Sequence, residues 1–130
     1  MSTEELEETE KELSFNDISL VTDRKIQRLD VPAWKGYIYI SAWTGKQRSA
    51  FEEAAMKLNE TKKGLKGVEN LYARLLLWGV CNKDGSQAFT EEEAKQILAT
   101  KSSKVINDII EEIKKLNGIS EQDIDDISGN

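Results

Sequence analysis

The stretch from Val68 to Cys81 limits the fold more than any other part of the chain. Leu71, Tyr72, Leu75, Leu76, Leu77, Trp78 and Val80 leave almost no polar face at helical spacing. A helix that is apolar all round has to lie at the centre of a domain. Its longest unbroken apolar run, Leu75 to Cys81, has seven residues, while a bilayer span needs about 20. The rest of the 130-residue chain must therefore wrap this segment. That length suits one domain, and a chain of this size buries roughly two-thirds of its unfolded surface.

The elements that do the wrapping can be read in order. Lys25 to Val31 reads as a strand, Pro32-Ala33-Trp34-Lys35-Gly36 as a turn, and Tyr37 to Trp43 as a second strand rich in aromatic and β-branched residues. The only proline in the chain stands in the turn, because proline lacks the N–H that a central ladder needs. Together they make a hairpin. Thr44 with Gln47 has the spacing of a capping box, and Phe51, Ala54, Ala55 and Leu58 follow on one helical face. Residues 59–67, with Gly64 and Gly67, read as a loop before the central helix. Asn82 to Ser86 carries Asp-Gly turn chemistry, and Thr90 with Glu93 starts another capped helix holding Ile97 and Leu98.

A further helix starts at Ser102 or Ser103. Val105, Ile106, Ile109, Ile110, Ile113 and Leu116 give it the clearest helical stripe in the chain, and Asn117-Gly118 ends it in the manner of a left-handed cap. Ser120 and Asp123 open a last turn or two with Ile124 and Ile127. The expected fold is α+β and mostly helical, one N-terminal β-hairpin followed by four or five helices. The expected organisation is an acidic, flexible segment over 1–23, a globular domain over 24–119, and a short acidic helix and tail over 120–130.

Charge and residue inventory exclude several function classes. Residues 1–12 carry six Glu and one Lys, and residues 121–130 carry four acids and no base. The total of −6 leaves residues 13–120 at +3. A body with so small and scattered an excess of Lys is no nucleic-acid footprint. The acidic start lacks the apolar core of a secretory signal, and one cysteine, Cys81, allows no internal disulfide. These features predict a cytoplasmic protein that spans no membrane.

There is no histidine, which removes the commonest general base and most zinc sites. Gly45-Lys46 is followed by Gln47 and has no partner glycine upstream, so it is not a phosphate loop. With Gly85 at the sixth position of a calcium loop, Asn82, Asp84 and Glu91 fall at liganding positions but Val80 falls at the first. A hard cation would lose a principal carboxylate there, so a turn and a capped helix explain the stretch better. The carboxylate pairs, such as Glu52/Glu53 and Glu111/Glu112, sit at helix starts or on solvent faces. The inventory predicts a non-catalytic protein with no metal and no cofactor.

The aromatic residues point to binding. Trp34, Tyr37, Tyr39 and Trp43 cluster on the hairpin. Alternation puts Tyr37, Tyr39, Ser41 and Trp43 on one face and Ile38, Ile40 and Ala42 on the other. If the aliphatic face turns inward, the aromatic face is left for a partner. If it turns outward, the aromatics belong to the core. A two-stranded hairpin also has open edges that can accept a strand from another copy. Ile119, Ile124 and Ile127 form a second candidate surface, an apolar stripe in an acidic sequence that docks either on its own domain or on another chain.

Several segments together resemble one family. Val31-Pro32-Ala33-Trp34-Lys35-Gly36 running into Tyr37 to Ile40 looks like its strand–turn–strand opening. Thr44 to Glu52 is similar to its first capped helix. Leu75 to Cys81, Asp84-Gly85 and Phe89 to Glu93 look like its central helix, turn and next capped helix. Leu116 to Ser120 with Glu121 to Ile127 looks like its closing signature. The family is the tail assembly chaperone of long-tailed, non-contractile bacteriophages, and the resemblance covers roughly residues 24–127 in order.

The resemblance implies a non-catalytic protein of the host bacterial cytoplasm, absent from the finished virion. It would bind the helical, apolar-rich tape measure protein, keep it soluble, and promote assembly of tail tube subunits around it. Many such genes also yield a longer product by ribosomal frameshifting, whose extension recruits the tube protein. This chain would be the shorter product, with Lys114-Lys115 a late position where the frame could slip. A long client held by repeated weak contacts implies a homo-oligomer. The competing reading is a small acidic phage-encoded regulatory or inhibitor protein that binds a host protein. Its support is the acid at both ends, and the mildly basic body counts against it.

Overall fold

The computed structural model describes residues 11–61 and 65–119. The architecture is α+β and mostly helical, with one small antiparallel sheet. Strand β1 (Ile26–Val31) and strand β2 (Gly36–Ser41) form the hairpin, paired from Ile26 opposite Ser41 to Val31 opposite Gly36. A single turn of 3₁₀ helix, Pro32–Trp34, joins them, with proline at its start. Lys35 closes that turn with φ of 57°, the one positive φ outside glycine among the described residues.

Among the described residues, four helices follow the hairpin: α2 (Gly45–Thr61), α3 (Leu65–Gly79), α4 (Glu91–Thr100) and α5 (Ser103–Leu116). A fifth, preceding the hairpin, is described below. The expected capping boxes are present. Thr44 N–H donates to Gln47 Oε1 at 3.1 Å and Gln47 N–H donates back to Thr44 Oγ1 at 3.1 Å. Thr90 and Glu93 make the same reciprocal pair at 2.9 and 3.2 Å. Each box satisfies two of the donors that a helix start leaves open.

The core lies between the inner face of the sheet and α2, α3 and α5. Ile40, Phe51, Leu75, Leu76, Ile110 and Ile113 are all buried at 2% exposure or less. The stripe of α5 faces inward as its spacing demands, with Ile106, Ile109, Ile110 and Ile113 buried. Gly79, the last residue of α3, lies directly against the Ile113 side chain. The close approach of the two helices depends on the missing Cβ.

The C-terminus of α5 is closed by a Schellman arrangement. Ile119 N–H donates to Lys114 C=O at 2.9 Å and Gly118 N–H donates to Lys115 C=O at 3.2 Å, with Gly118 in the left-handed region at φ of 66°. Asn117 ties this cap to the end of the hairpin. Its Oδ1 accepts the Trp43 backbone N–H at 2.7 Å, while its Nδ2 donates to Ile113 C=O at 2.9 Å. Asn117→Ala strands a part-buried backbone donor, which should cost about 1–3 kcal/mol. Urea unfolding will check this, and a loss below about 0.5 kcal/mol would show that water replaces the amide.

Three boundaries differ from the sequence reading. Residues 59–67 were expected as a loop, yet α2 continues to Thr61 and α3 has already begun at Leu65. A glycine inside a helix costs only about 1 kcal/mol, so Gly67 does not prevent α3 from starting early. The central helix ends at Gly79 rather than Cys81. Val80–Cys81 instead forms strand β3, pairing with β2 at Tyr39↔Cys81 and Ile40↔Val80. Strand β2 stops at Ser41, two residues before Trp43.

The segment before the hairpin also holds structure among the described residues. Phe15–Leu20 forms a short helix, α1, capped by Ser14 and Asp17 and with no buried residue. The last helical turns expected from Ser120, with Ile124 and Ile127, lie outside the described residues. No helix among the described residues is long and apolar enough to cross a membrane.

Candidate functional site

The outer face of the hairpin is the site that the sequence brings together most clearly. Residues directly opposite in an antiparallel pair share a face. Tyr39 therefore stands beside Arg28, and Tyr37 beside Asp30. Ile40 is fully buried and Val31 is 5% exposed, while Leu29 and Ile38 pack against the same core. The aliphatic face has turned inward and the tyrosine face outward. Tyr37 is 51% exposed and Tyr39 is half-buried.

The tyrosine face is ordered by its own contacts. The Arg28 guanidinium lies 3.7 Å from the centre of the Tyr37 ring, a cation–π distance. The Tyr37 and Tyr39 rings meet edge to face at 5.8 Å and 88°, the favoured geometry for such a pair. Arg28 Nε is 3.1 Å from Asp30 Oδ1 in an exposed pair that adds little stability. Trp34, on the 3₁₀ turn at the tip, is 37% exposed.

Among the described residues, no strand pairs with the outer edge of the same hairpin. Ala42 N–H donates to Lys25 C=O at 2.9 Å, which makes 25/42 a hydrogen-bonded pair. Alternation along the ladder then turns the backbone groups of Ile26, Arg28 and Asp30 away from β2. In the strand order β1-β2-β3, β1 is an edge strand.

Two predicted site residues are placed elsewhere. Trp43 does not join the outer aromatic face. It is 8% exposed and packs against Phe51 and Trp78, with ring centres at 5.2 and 6.3 Å. The period-two alternation that grouped it with the tyrosines ends at Ser41, and the chain then turns inward to start α2. Its indole Nε1 is buried and meets no acceptor among the described residues. Ile119 is 6% exposed and belongs to the core, because the cap of α5 folds it back over its own helix. Ile124 and Ile127 lie outside the described residues. Of the aromatic set, Tyr37 and Tyr39 stand on the outer face and Trp34 is exposed at the tip of the hairpin.

Ser41 shares the tyrosine side of the sheet yet is fully buried. Arg24 covers it, donating from Nη2 to Ser41 Oγ at 2.9 Å and from Nε to Ala42 C=O at 3.0 Å. Cys81 lies beside it, 6% exposed. Burial pushes the Cys81 thiol above its ordinary range, with the Ser41 hydroxyl and the Arg24 charge only partly opposing. The thiol therefore stays protonated near neutral pH and is a poor nucleophile. In the Asn82–Ser86 turn, Asp84 Oδ1 accepts from Ser86 N–H at 2.9 Å and Ser86 Oγ at 2.6 Å. These bonds hold its carboxyl below the usual carboxylate range. The oxygen that would sit in a calcium loop serves the turn itself. No cluster of three or more His, Cys, Asp or Glu side chains placed to hold a metal ion occurs among the described residues.

A surface that sequence reasoning passed over lies before the hairpin. Leu13, Phe15, Ile18, Leu20 and Val21 are each more than half exposed, Phe15 and Leu20 by 82% and 83%. The signal was present as a short apolar patch at Ile18, Leu20 and Val21, but its polar neighbours concealed it. A trough between α3 and α4, lined by Val68, Tyr72, Leu98 and Ala99, encloses about 530 Å³.

Comparison with known proteins supplies a fold relationship. No protein-family model matches the chain, and no curated protein matches its sequence. Among solved structures, the chain is similar to the tail assembly chaperone of bacteriophage HK97. The two share a TM-score of 0.54 at 14% identity, over 72% of this chain and 85% of that one. At that identity the likeness is one of fold.

Proposed function

We propose that this chain is a phage tail assembly chaperone, a non-catalytic protein that binds the tape measure protein, keeps it soluble, and promotes tail tube assembly around it. The observation that carries the reading is the shared fold with the HK97 chaperone over most of both chains. The ordered segments between residues 24 and 127 that resemble the same family support it independently. The protein acts in the host bacterial cytoplasm and leaves before the virion is complete. Its tube-protein contact runs through a longer frameshifted form, and copies associate along the client.

The outer face of the hairpin is the client surface in this reading. Rigid aromatics that stand exposed on an ordered strand provide large contact area at low entropic cost. Trp34→Ala together with Tyr37→Ala should lower client recovery at least about tenfold, the effect of losing one hot spot. Neither side chain belongs to the buried core, so circular dichroism should stay unchanged.

The test is a pull-down with a C-terminal tag from host cells during phage induction, read by mass spectrometry. Recovery of a very long helical phage protein, lost in the double variant, supports the chaperone. Recovery of a host polymerase, nuclease or repressor in its place overturns it in favour of the regulatory reading.

A further inference from the structure

We infer that the trough between α3 and α4 is a docking groove for an amphipathic helix of another protein, one whose apolar stripe is flanked by Asp and Glu. The trough shares no lining residue with the hairpin, so this contact goes beyond the client surface in the reading above.

The floor is apolar and continuous. Two cavities, of about 530 and 380 Å³, share Tyr72 and Leu98 and so run together along α3, α4 and the start of α5. Val68 and Ala99 line one end and Ile106 the other. Tyr72 is left 37% exposed on this floor. An apolar groove with a polar rim is the usual form of an interaction surface.

The rim is basic. Among the described lining residues, Lys95, Lys101 and Lys104 stand against a single acid, Glu69. Lys104 makes an exposed pair with Asp108 at 3.4 Å, while Lys95 and Lys101 form no ion pair among the described residues. The N-terminus of α5 opens on the same rim at Ser103 without a side-chain cap, and its dipole adds to the positive field. A partner that brings carboxylates is favoured there, and a basic one is rejected.

The walls decide the conformation of the partner. They are helices whose main-chain groups bond within each helix, so they offer an incoming chain side chains only. An extended segment buried there would leave its own N–H and C=O groups without partners. A helix carries those bonds internally and lays one stripe, at i, i+3, i+4 and i+7, along the floor. From Lys95 to the C-cap Lys101 is about 9 Å of helix axis, so the basic rim spans nearly two turns of such a helix.

The test uses the full chain and a labelled peptide of about 15 residues, the length at which an isolated helix begins to persist in water. The peptide carries a Leu stripe flanked by Glu, and matched peptides carry Gln or Lys in place of Glu. Fluorescence anisotropy should rank the Glu peptide tightest, with the Lys peptide at least about tenfold weaker. Lys95→Glu with Lys101→Glu should reverse that order. Ala99→Arg separates docking from bare attraction, because it adds positive charge while filling the trough. It should weaken the Glu peptide at least about tenfold, whereas attraction alone would tighten it. All three substituted side chains are exposed, and circular dichroism will check that the fold is kept. Equal binding of the three peptides overturns the inference, as does an order that the double variant leaves unchanged, or tighter binding by Ala99→Arg. Binding that emerges only on dilution of the chain also overturns it, by assigning the trough to a second copy. The Trp34→Ala, Tyr37→Ala variant should bind the Glu peptide as wild type does, so failure here and failure of client capture are read separately.

Discussion

Trp43→Ala will lower folding stability by about 3–5 kcal/mol, the range for removing a buried large aromatic. Trp43 is 8% exposed and packs against both Phe51 and Trp78, and rings held in this way add interaction beyond their buried area. The lost volume lies where β2 turns into α2, under the Asn117 latch, so collapse of the surroundings would disturb the cap of α5. A domain of this kind holds about 5–15 kcal/mol in total, so the variant stands near the edge of folding. Tyr37→Ala, on the outer face, should cost less than about 1 kcal/mol. Urea midpoints at constant slope will separate the two. Equal costs would mean that Trp43 is no more central than Tyr37.

Gly79→Val will be the most damaging change to the backbone of the core, costing about 3 kcal/mol or more. A Cβ at this position would stand 2.5, 2.7 and 2.8 Å from the Cδ1, Cγ2 and Cγ1 atoms of Ile113. Ile113 is fully buried and cannot swing clear without leaving the core. Gly79→Ala isolates the effect of the first carbon. Helix propensity favours the alanine by about 1 kcal/mol, so a net loss measures the clash directly. Trimming the neighbour should relieve it: Gly79→Ala with Ile113→Val should cost less than the two single changes added together, a coupling of about 0.5–3 kcal/mol. Strict additivity would mean that α3 and α5 separate freely at this point.

Much of this fold was legible because its signals were local and redundant. The stripe of α5 repeats over four turns, and each capping box pairs two residues three apart, so one misread position changes nothing. The hairpin was legible for the same reason. What could not be read was where an alternating pattern stops. Tyr37, Tyr39, Ser41 and Trp43 look alike in sequence, but only the first two stay uncovered on the outer face. Ser41 is sealed by Arg24, seventeen residues away, and Trp43 is held by Asn117, seventy-four residues away. Val80–Cys81 was absorbed into the helix because two apolar residues fit either state, and only pairing with Tyr39 and Ile40 makes them a strand. Ile119 read equally well as inside or outside until the cap of α5 decided it. The segment at Phe15–Leu20 was hidden by composition, since an acidic terminus draws the eye from five apolar residues within it.

The two-residue strand β3 carries a consequence for the timing of synthesis. The two strands of the hairpin are neighbours in sequence and close within microseconds. The third must wait until Val80 is made to meet Ile40, forty residues later. At roughly 5–20 residues per second the ribosome needs about 2–8 s to supply it. During that interval the newborn hairpin has both edges bare and no helix α3 beneath its apolar face. The charges of Arg28 and Asp30 on its outer strand then help to guard it against pairing with the hairpin of a neighbouring nascent chain on the same message.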